Sequence, residues 1–578
     1  MKKWILAIIL ILLILFFLFN FLTLKSRIPT FKPKIKLGHK LVVRVDMEGR
    51  FEERSPGKYP RFFVRFRKPK DFESLLETFE YAKNDERIKG ISIVLNSPII
   101  GIAKVEELTD RVERFREESG KPVYIYSDYY TLGTLLLASS CERVFIPPTG
   151  ELIIPGIRVE PIFFKGTMDK LGIQWDIVKM KEYKNGLDPF VSDTLSPESR
   201  EVYTALVDTL YRQTIREIAE ARGIDTSILI SCIDSGIITA KDAKNLGLVD
   251  SLIYPIDYEE IEQELAGDEE NITGFLKYIT EREMSFPPRE KKIAVIYASG
   301  SIHTGESKPG YFGASASIGS KTYTKALKDA ADDDDIIGII LRVDSGGGSA
   351  LASDIIRDAV QYAKDKKPVI ASMTSVAASG GYYIAMACDS IFVEPMTITG
   401  SIGVLYGKPS LKGLYEKLGI RKDISIYRGK HSGLTSDYER LTPEEYEFIK
   451  RYIEDIYNDF VGKAAEDRKK GFDELEPVAR GRVYTGKEAI TFGLVDRFGG
   501  LNDAIDCILK KENISRKDVS IVEYPRGKEL FEFMLELGIS KVLDIPTPAL
   551  ELYRAAKEYE LFQDGEALFL TPVNISVK

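Results

Sequence analysis

The chain has 578 residues, more than one ordinary core fills, so two or more domains are expected. Its formal net charge of -8 argues against a nucleic-acid binder. The four cysteines, Cys141, Cys232, Cys388 and Cys507, form no CxxC pair, and the three histidines, His39, His303 and His431, have no second histidine at ligand spacing; a disulfide framework and zinc chemistry are both disfavoured, and no metal or cofactor is expected.

Residues Trp4 to Leu24 are apolar except for Asn20 and Thr23. About 20 helical residues span a hydrocarbon core of about 30 Å, so this run predicts one N-terminal transmembrane helix. Lys25, Ser26, Arg27, Ile28 and Pro29 follow it instead of a small-residue cleavage site, which predicts an uncleaved anchor. Lys2 and Lys3 precede the run, whereas Lys25, Arg27, Lys32, Lys34, Lys36 and Lys40 follow it, and that balance alone favours a cytoplasmic body.

The rest of the chain repeats itself once. IKGISIVLNSP (Ile88 to Pro98) returns as IIGIILRVDSG (Ile336 to Gly346), KPVYIYS (Lys121 to Ser127) as KPVIASM (Lys367 to Met373), and CERVFIPP (Cys141 to Pro148) as CDSIFVEP (Cys388 to Pro395). TAKDAKNLGLVD (Thr239 to Asp250) returns as TGKEAITFGLVD (Thr485 to Asp496), all at offsets of 246 to 248. Each copy alternates strand-like apolar runs with amphipathic helical ones, which predicts an α/β fold of stacked βαβ units. The expected organisation is an anchor and juxtamembrane segment over 1–40, a first repeat over 41–257, a connecting arm over 258–290, a second repeat over 291–522 and a C-terminal extension over 523–578.

Two motifs of the second copy carry the chemistry, VDSGGGSA (Val343 to Ala350) and AASGGYYIAMAC (Ala377 to Cys388). In the second, VIASMTS (Val369 to Ser375) reads as a buried strand and Tyr382 to Cys388 as a helix, so Ser379 falls at the turn between them as a candidate nucleophile. At the same places the first copy has Leu132 for Ser379, and Pro98, Ile99 and Ile100 for Gly346 to Gly348. The first copy therefore lacks both the nucleophile and an oxyanion site, since proline has no N–H and branched side chains block close backbone approach.

A serine hydroxyl needs a base, and a lysine serves if burial or positive neighbours pull its pKa from about 10.4 towards 7 or 8. None of the histidines is well placed. Both copies keep a lysine 11 residues before a Leu-x-Pro-Glu: Lys184 before Leu195 and Lys430 before Leu441.

With DSGGG, AASGGYY and TGSIGV (Thr399 to Val404) in the second half and YKNGLDPF in the first, the chain resembles the long, tandem form of signal peptide peptidase A, a membrane-anchored Ser/Lys protease family of the ClpP/crotonase-like superfamily. The family usually has proline in place of Gly346. The resemblance implies that Ser379 is the nucleophile, that Lys184 is the general base, that Ser401 orients the lysine, and that the amides of Gly346 and Gly347 form the oxyanion site. Base and nucleophile then lie in different copies and must meet across an interface between halves. It further implies apolar, extended peptide substrates such as remnant signal peptides, a bowl-like homotetramer, and a single-pass protein of the cell membrane with its body on the extracytoplasmic side. That placement runs against the lysine count, although large domains translocate largely regardless of charge. The competing readings are a membrane-bound scaffold that has lost catalysis and a crotonase-like acyl-CoA enzyme.

Overall fold

Ile91–Leu95 and Ile339–Val343 are almost wholly buried, the mark of parallel strands covered on both faces. In the computed structural model, which describes residues 40–54, 69–285, 289–308, 317–525 and 568–570, each of these runs lies inside a sheet of its own.

The first half is built on β1 (Leu41–Arg50), β2 (Ile88–Ile99), helix α1 (Ile102–Ser119), β3 (Val123–Ser127), helix α2 (Leu132–Ser139) and β4 (Arg143–Ile146). A strand that leaves this sheet, β5 (Gln174–Lys179), and the long helix α3 (Pro197–Arg222) follow. The half closes with β6 (Ile272–Gly274), parallel to β1 with Val42 opposite Ile272, and with helix α4 (Phe275–Ser285), whose Phe275, Tyr278 and Ile279 join the core. This corrects the expected connecting arm over 258–290. A three-residue strand has no alternation to announce it, yet it completes the first sheet, which leaves only 286–290 to join the halves.

The second half runs through β7 (Lys291–Ser299), β8 (Ser301–His303), β9 (Ile336–Ser345), β10 (Gly347–Ser349), helix α5 (Ala350–Lys364), β11 (Val369–Ala378), helix α6 (Gly380–Ala385), β12 (Ile398–Gly400), β13 (Leu405–Ser410) and β14 (Val519–Tyr524). β14 lies parallel to β7 with Lys291 opposite Val519, so the second repeat closes as the first does and ends at Tyr524, past the expected 522. In the C-terminal extension one strand is described, β15 (Leu568–Leu570), which lies antiparallel to β10. The apolar run Trp4 to Leu24 lies outside the described residues, among which no helix is long and apolar enough to cross a membrane.

The halves are not independent beads. One apolar core contains Leu108, Val112 and Phe115 of α1 together with Ile340, Ile370 and Leu501 of the second half. A mixed sheet also crosses between them, because β5 pairs antiparallel with β13 from Gln174 opposite Ser410 to Lys179 opposite Leu405. That junction carries the segment after β5, with Lys184, into the second half.

Candidate active site

β11 is buried up to Thr374, then irregular. Met373 opposes Val343 and Ala377 opposes Ser345, so four residues of β11 match two of β9. Such a bulge re-aims the chain beyond it. Two residues past Ala377 stands Ser379, fully buried, with φ 57° and ψ -117°, and α6 starts at the next residue. Positive φ costs a serine roughly 1–3 kcal/mol, so neighbours must impose it. Here the Ser379 amide donates to Gly400 O (2.8 Å) and the Ser379 carbonyl accepts from the Tyr383 amide (2.9 Å). Gly380 and Gly381 have no room for side chains: a Cβ on Gly380 would lie 3.0 Å from Gly347 Cα, and one on Gly381 would overlap the Ser345 carbonyl. The glycine segment and the serine turn are therefore in van der Waals contact.

Lys184 enters from the first half. Its Nζ lies 2.7 Å from Ser379 Oγ, 2.9 Å from Ser401 O and 3.0 Å from Ser401 Oγ, within one chain. No part of Lys184 is exposed, and burial alone, with no carboxylate to offset it, pulls its pKa well below the usual lysine value. The structure thus brings together Ser379, Lys184 and Ser401, in a setting whose burial favours the neutral amine. Ser401 also has positive φ, 54°, held by its amide's bond to Arg482 O (2.6 Å).

Of the two amides expected at the oxyanion site, that of Gly347 donates to Ser345 Oγ at 3.1 Å, and Ser345 Oγ in turn donates to Gly300 O. Gly346 sits half-buried at the turn before β10. The Gly380 amide, at the first turn of α6, belongs to the N–H groups that a helix leaves without an internal partner.

Two residues that sequence reasoning missed frame the lysine. Gly481, at φ +79°, would place a Cβ 2.7 Å from the Lys184 N and Cβ, and a Cβ on Gly403 would come within 3.2 Å of Lys184 Cδ. The Tyr183 amide donates to Arg480 O (3.2 Å), which ties this Arg480–Arg482 stretch to the lysine segment. The repeat held a signal: at offset 246 the first half has Ser235 where the second has Gly481.

Among the described residues the first half has no such constellation of its own. Leu132 is buried as the first residue of α2, and Lys430 lies on the surface, ion-paired with Glu444 at 2.5 Å. His303 bonds to Thr304 O and Ser317 Oγ, and His431 faces Glu445. Among the described residues no group of His, Cys, Asp or Glu could hold a metal ion.

Residues 115–266 and 361–515 match the model of peptidase family S49. The chain belongs to this family. It is 34% identical over 473 residues to the chloroplastic serine protease SPPA of Arabidopsis thaliana, across 80% of this chain and 69% of that protein. To Protease 4 of Haemophilus influenzae it is 28% identical, across 86% of this chain and 84% of the relative. Among solved structures, ClpP1 of Listeria monocytogenes matches 36% of this chain and 94% of its own, at 16% identity and a TM-score of 0.25. The S49 chain is accordingly a serine endopeptidase with an α/β fold, and the acyl-CoA reading falls away.

Proposed function

We propose that this S49 peptidase uses Ser379 as nucleophile and Lys184 as general base, with Ser401 orienting the lysine, to hydrolyse apolar, extended peptides such as signal peptides left in a membrane. The observation that carries this is the 2.7 Å approach of a wholly buried lysine to a serine held at positive φ. Neutral Lys184 takes the Ser379 proton as Oγ attacks the peptide carbonyl, and Ser401 Oγ and O hold the resulting ammonium in place. The oxyanion forms beside Gly346 and the first amides of α6, where fixed dipoles act without reorganising. The ammonium then protonates the leaving amine, and the same lysine activates the water that releases the acyl group. β15, antiparallel on β10 next to the serine turn, supports an extended substrate, since this edge accepts a strand.

The assembly belongs to the same reading: a ClpP/crotonase-like ring of four chains, anchored by Trp4 to Leu24 with the body outside the cytoplasmic membrane. Repeat arithmetic supports head-to-tail contacts. The counterparts of β13 and β5 at offset 247 are 158–163 and 421–426, and neither is paired in a sheet among the described residues. Ile162 and Ile426 there are 68% and 92% exposed. Leu351 and Ile355 of α5 are likewise exposed, where their counterparts Ala103 and Glu107 are buried within the chain.

Hydrolysis of casein or a signal peptide by detergent-purified protein tests the reading. Activity should vanish in Ser379→Ala and in Lys184→Ala and persist in Lys430→Ala. Activity surviving Ser379→Ala would sink it. Loss in Lys430→Ala with Lys184→Ala spared would reverse the choice of base.

A further inference from the structure

Away from the dyad, a set of charged side chains is buried where α1 of the first half meets β9 and β11 of the second. Arg342 on β9, 1% exposed, is bound by Glu53 (3.1 Å) and Glu107 (2.6 Å) of the first half and donates to Ser372 Oγ (2.8 Å). Lys104 on α1 reaches Asp344 at 3.0 Å and Glu53 at 3.6 Å. Asp344 is the residue before Ser345 in the DSGGG motif, and it lies at the β9 side of the bulge. Its other oxygen accepts from the Val376 amide (3.3 Å), inside the four-residue stretch of β11 that leads to Ser379. One residue earlier, Ser375 packs against Gly101 at the start of α1, so closely that a Cβ on Gly101 would come within 2.6 Å of Ser375 Oγ.

The repeat shows that this pair exists once. At offset 248 Lys104 corresponds to Ala352 and Asp344 to Asn96. Each half keeps one member, and the two meet only at the junction that has the nucleophile.

We infer that Lys104 is a positioning residue: through Asp344 it fixes the glycine segment and the bulge before Ser379 relative to each other, so the nucleophile-lacking half sets the oxyanion geometry as well as supplying the lysine. A buried cation lacking its partners would be expelled or neutralised; here burial lowers the Lys104 pKa but the Asp344 and Glu53 carboxylates outweigh it and keep the amine charged. Bulges persist beside active sites because surrounding contacts over-determine them, and this one is clamped from the other half.

The inference rests on the Ser379 mechanism, and the test separates the two. kcat, KM and pH profile are measured on the full-length chain for wild type, Lys104→Met, Lys104→Arg, Asp344→Asn and the double variant Lys104→Met/Asp344→Asn, with Ser379→Ala as reference. The two single neutralisations should each lower kcat roughly 10- to 100-fold, the cost of a misplacement of about 1 Å, with KM and the acid midpoint unchanged. The double variant should be no worse than the weaker single one, as for residues that act as one unit, and Lys104→Arg should recover most of the rate. Wild-type kcat in Lys104→Met, or losses that multiply in the double variant, would overturn the inference. Should Lys104→Met fail to fold, Asp344→Asn decides, because it is isosteric and keeps an acceptor for Val376; normal kcat there overturns it. Activity independent of Ser379 would instead refute the underlying mechanism.

Discussion

The turn at Ser379 and the turn at Leu132 occupy the same place in the two repeats and are held in opposite ways. In the first half the helix starts conventionally: Thr131, at φ -91°, caps it in a reciprocal box with Thr134, and Leu132 is buried in the core. In the second half Ser379 stands at φ 57° without a side-chain cap, pinned by Gly400, Tyr383 and the glycine segment. A good N-cap contributes typically about 1 kcal/mol, and positive φ costs a similar amount. The half without a nucleophile has relaxed to the stable solution; the half with one keeps the strain and the glycines that permit it. The lysines repeat the contrast, since Lys184 is sealed and its counterpart Lys430 is solvated and paired.

The largest effect that would break this comparison is loss of the dyad. Ser379→Ala and Lys184→Met should each lower kcat/KM by roughly 10⁴-fold or more, with the double variant no worse, as for groups that act as a unit. Steady-state hydrolysis checks it. Next comes Gly481→Ala, which forces a methyl group against the Lys184 backbone and should cost roughly 100-fold, whereas Ser235→Gly at the corresponding place should leave turnover unchanged.

The pH dependence sharpens the comparison further. Lys184 has a folded pKa well below its unfolded value of about 10.4, so the unfolded chain binds more protons between those two values. Folding stability contributed by this residue therefore rises with pH across that window and is lost as pH falls through the folded pKa. The unfolding midpoint of wild type minus that of Lys184→Met should increase from about pH 7 to about pH 10. Smaller again, Leu132→Ser should destabilise by about 2–4 kcal/mol in denaturant titrations, for a lost side chain and a buried hydroxyl, and should create no second active site. Smallest of all, Lys430→Ala should change turnover less than about twofold, as surface ion pairs contribute little.

Much of this was legible because the chain carries its own control. The offsets exposed the duplication, the glycines and Ser379 against Leu132, and the resemblance singled out Lys184. Other features were not legible, for physical reasons. The strand Ile272–Gly274 is too short to show a period, and its place in the first sheet comes from pairing with β1 rather than from its own residues. The bond from the Gly347 amide to Ser345 Oγ depends on side-chain rotation that spacing does not encode. Lys104, Glu53, Glu107 and Arg342 read as surface charges in a sequence, because burial of such groups becomes tolerable only once all of them have met. Gly481 is intermediate: its loss from the first half was visible, but its closeness to Lys184 required the fold.

The central claim is that Lys184 deprotonates Ser379 within one chain. The most direct measurement is the rate at which a serine-directed acylating probe labels Ser379 from about pH 6 to 10 in wild type and in Lys184→Met, with the labelled peptide identified by mass. The account predicts a sigmoidal rise in wild type with its midpoint well below about 10.4 and no such rise in the variant. Labelling of Ser379 with the same pH profile in Lys184→Met would contradict it.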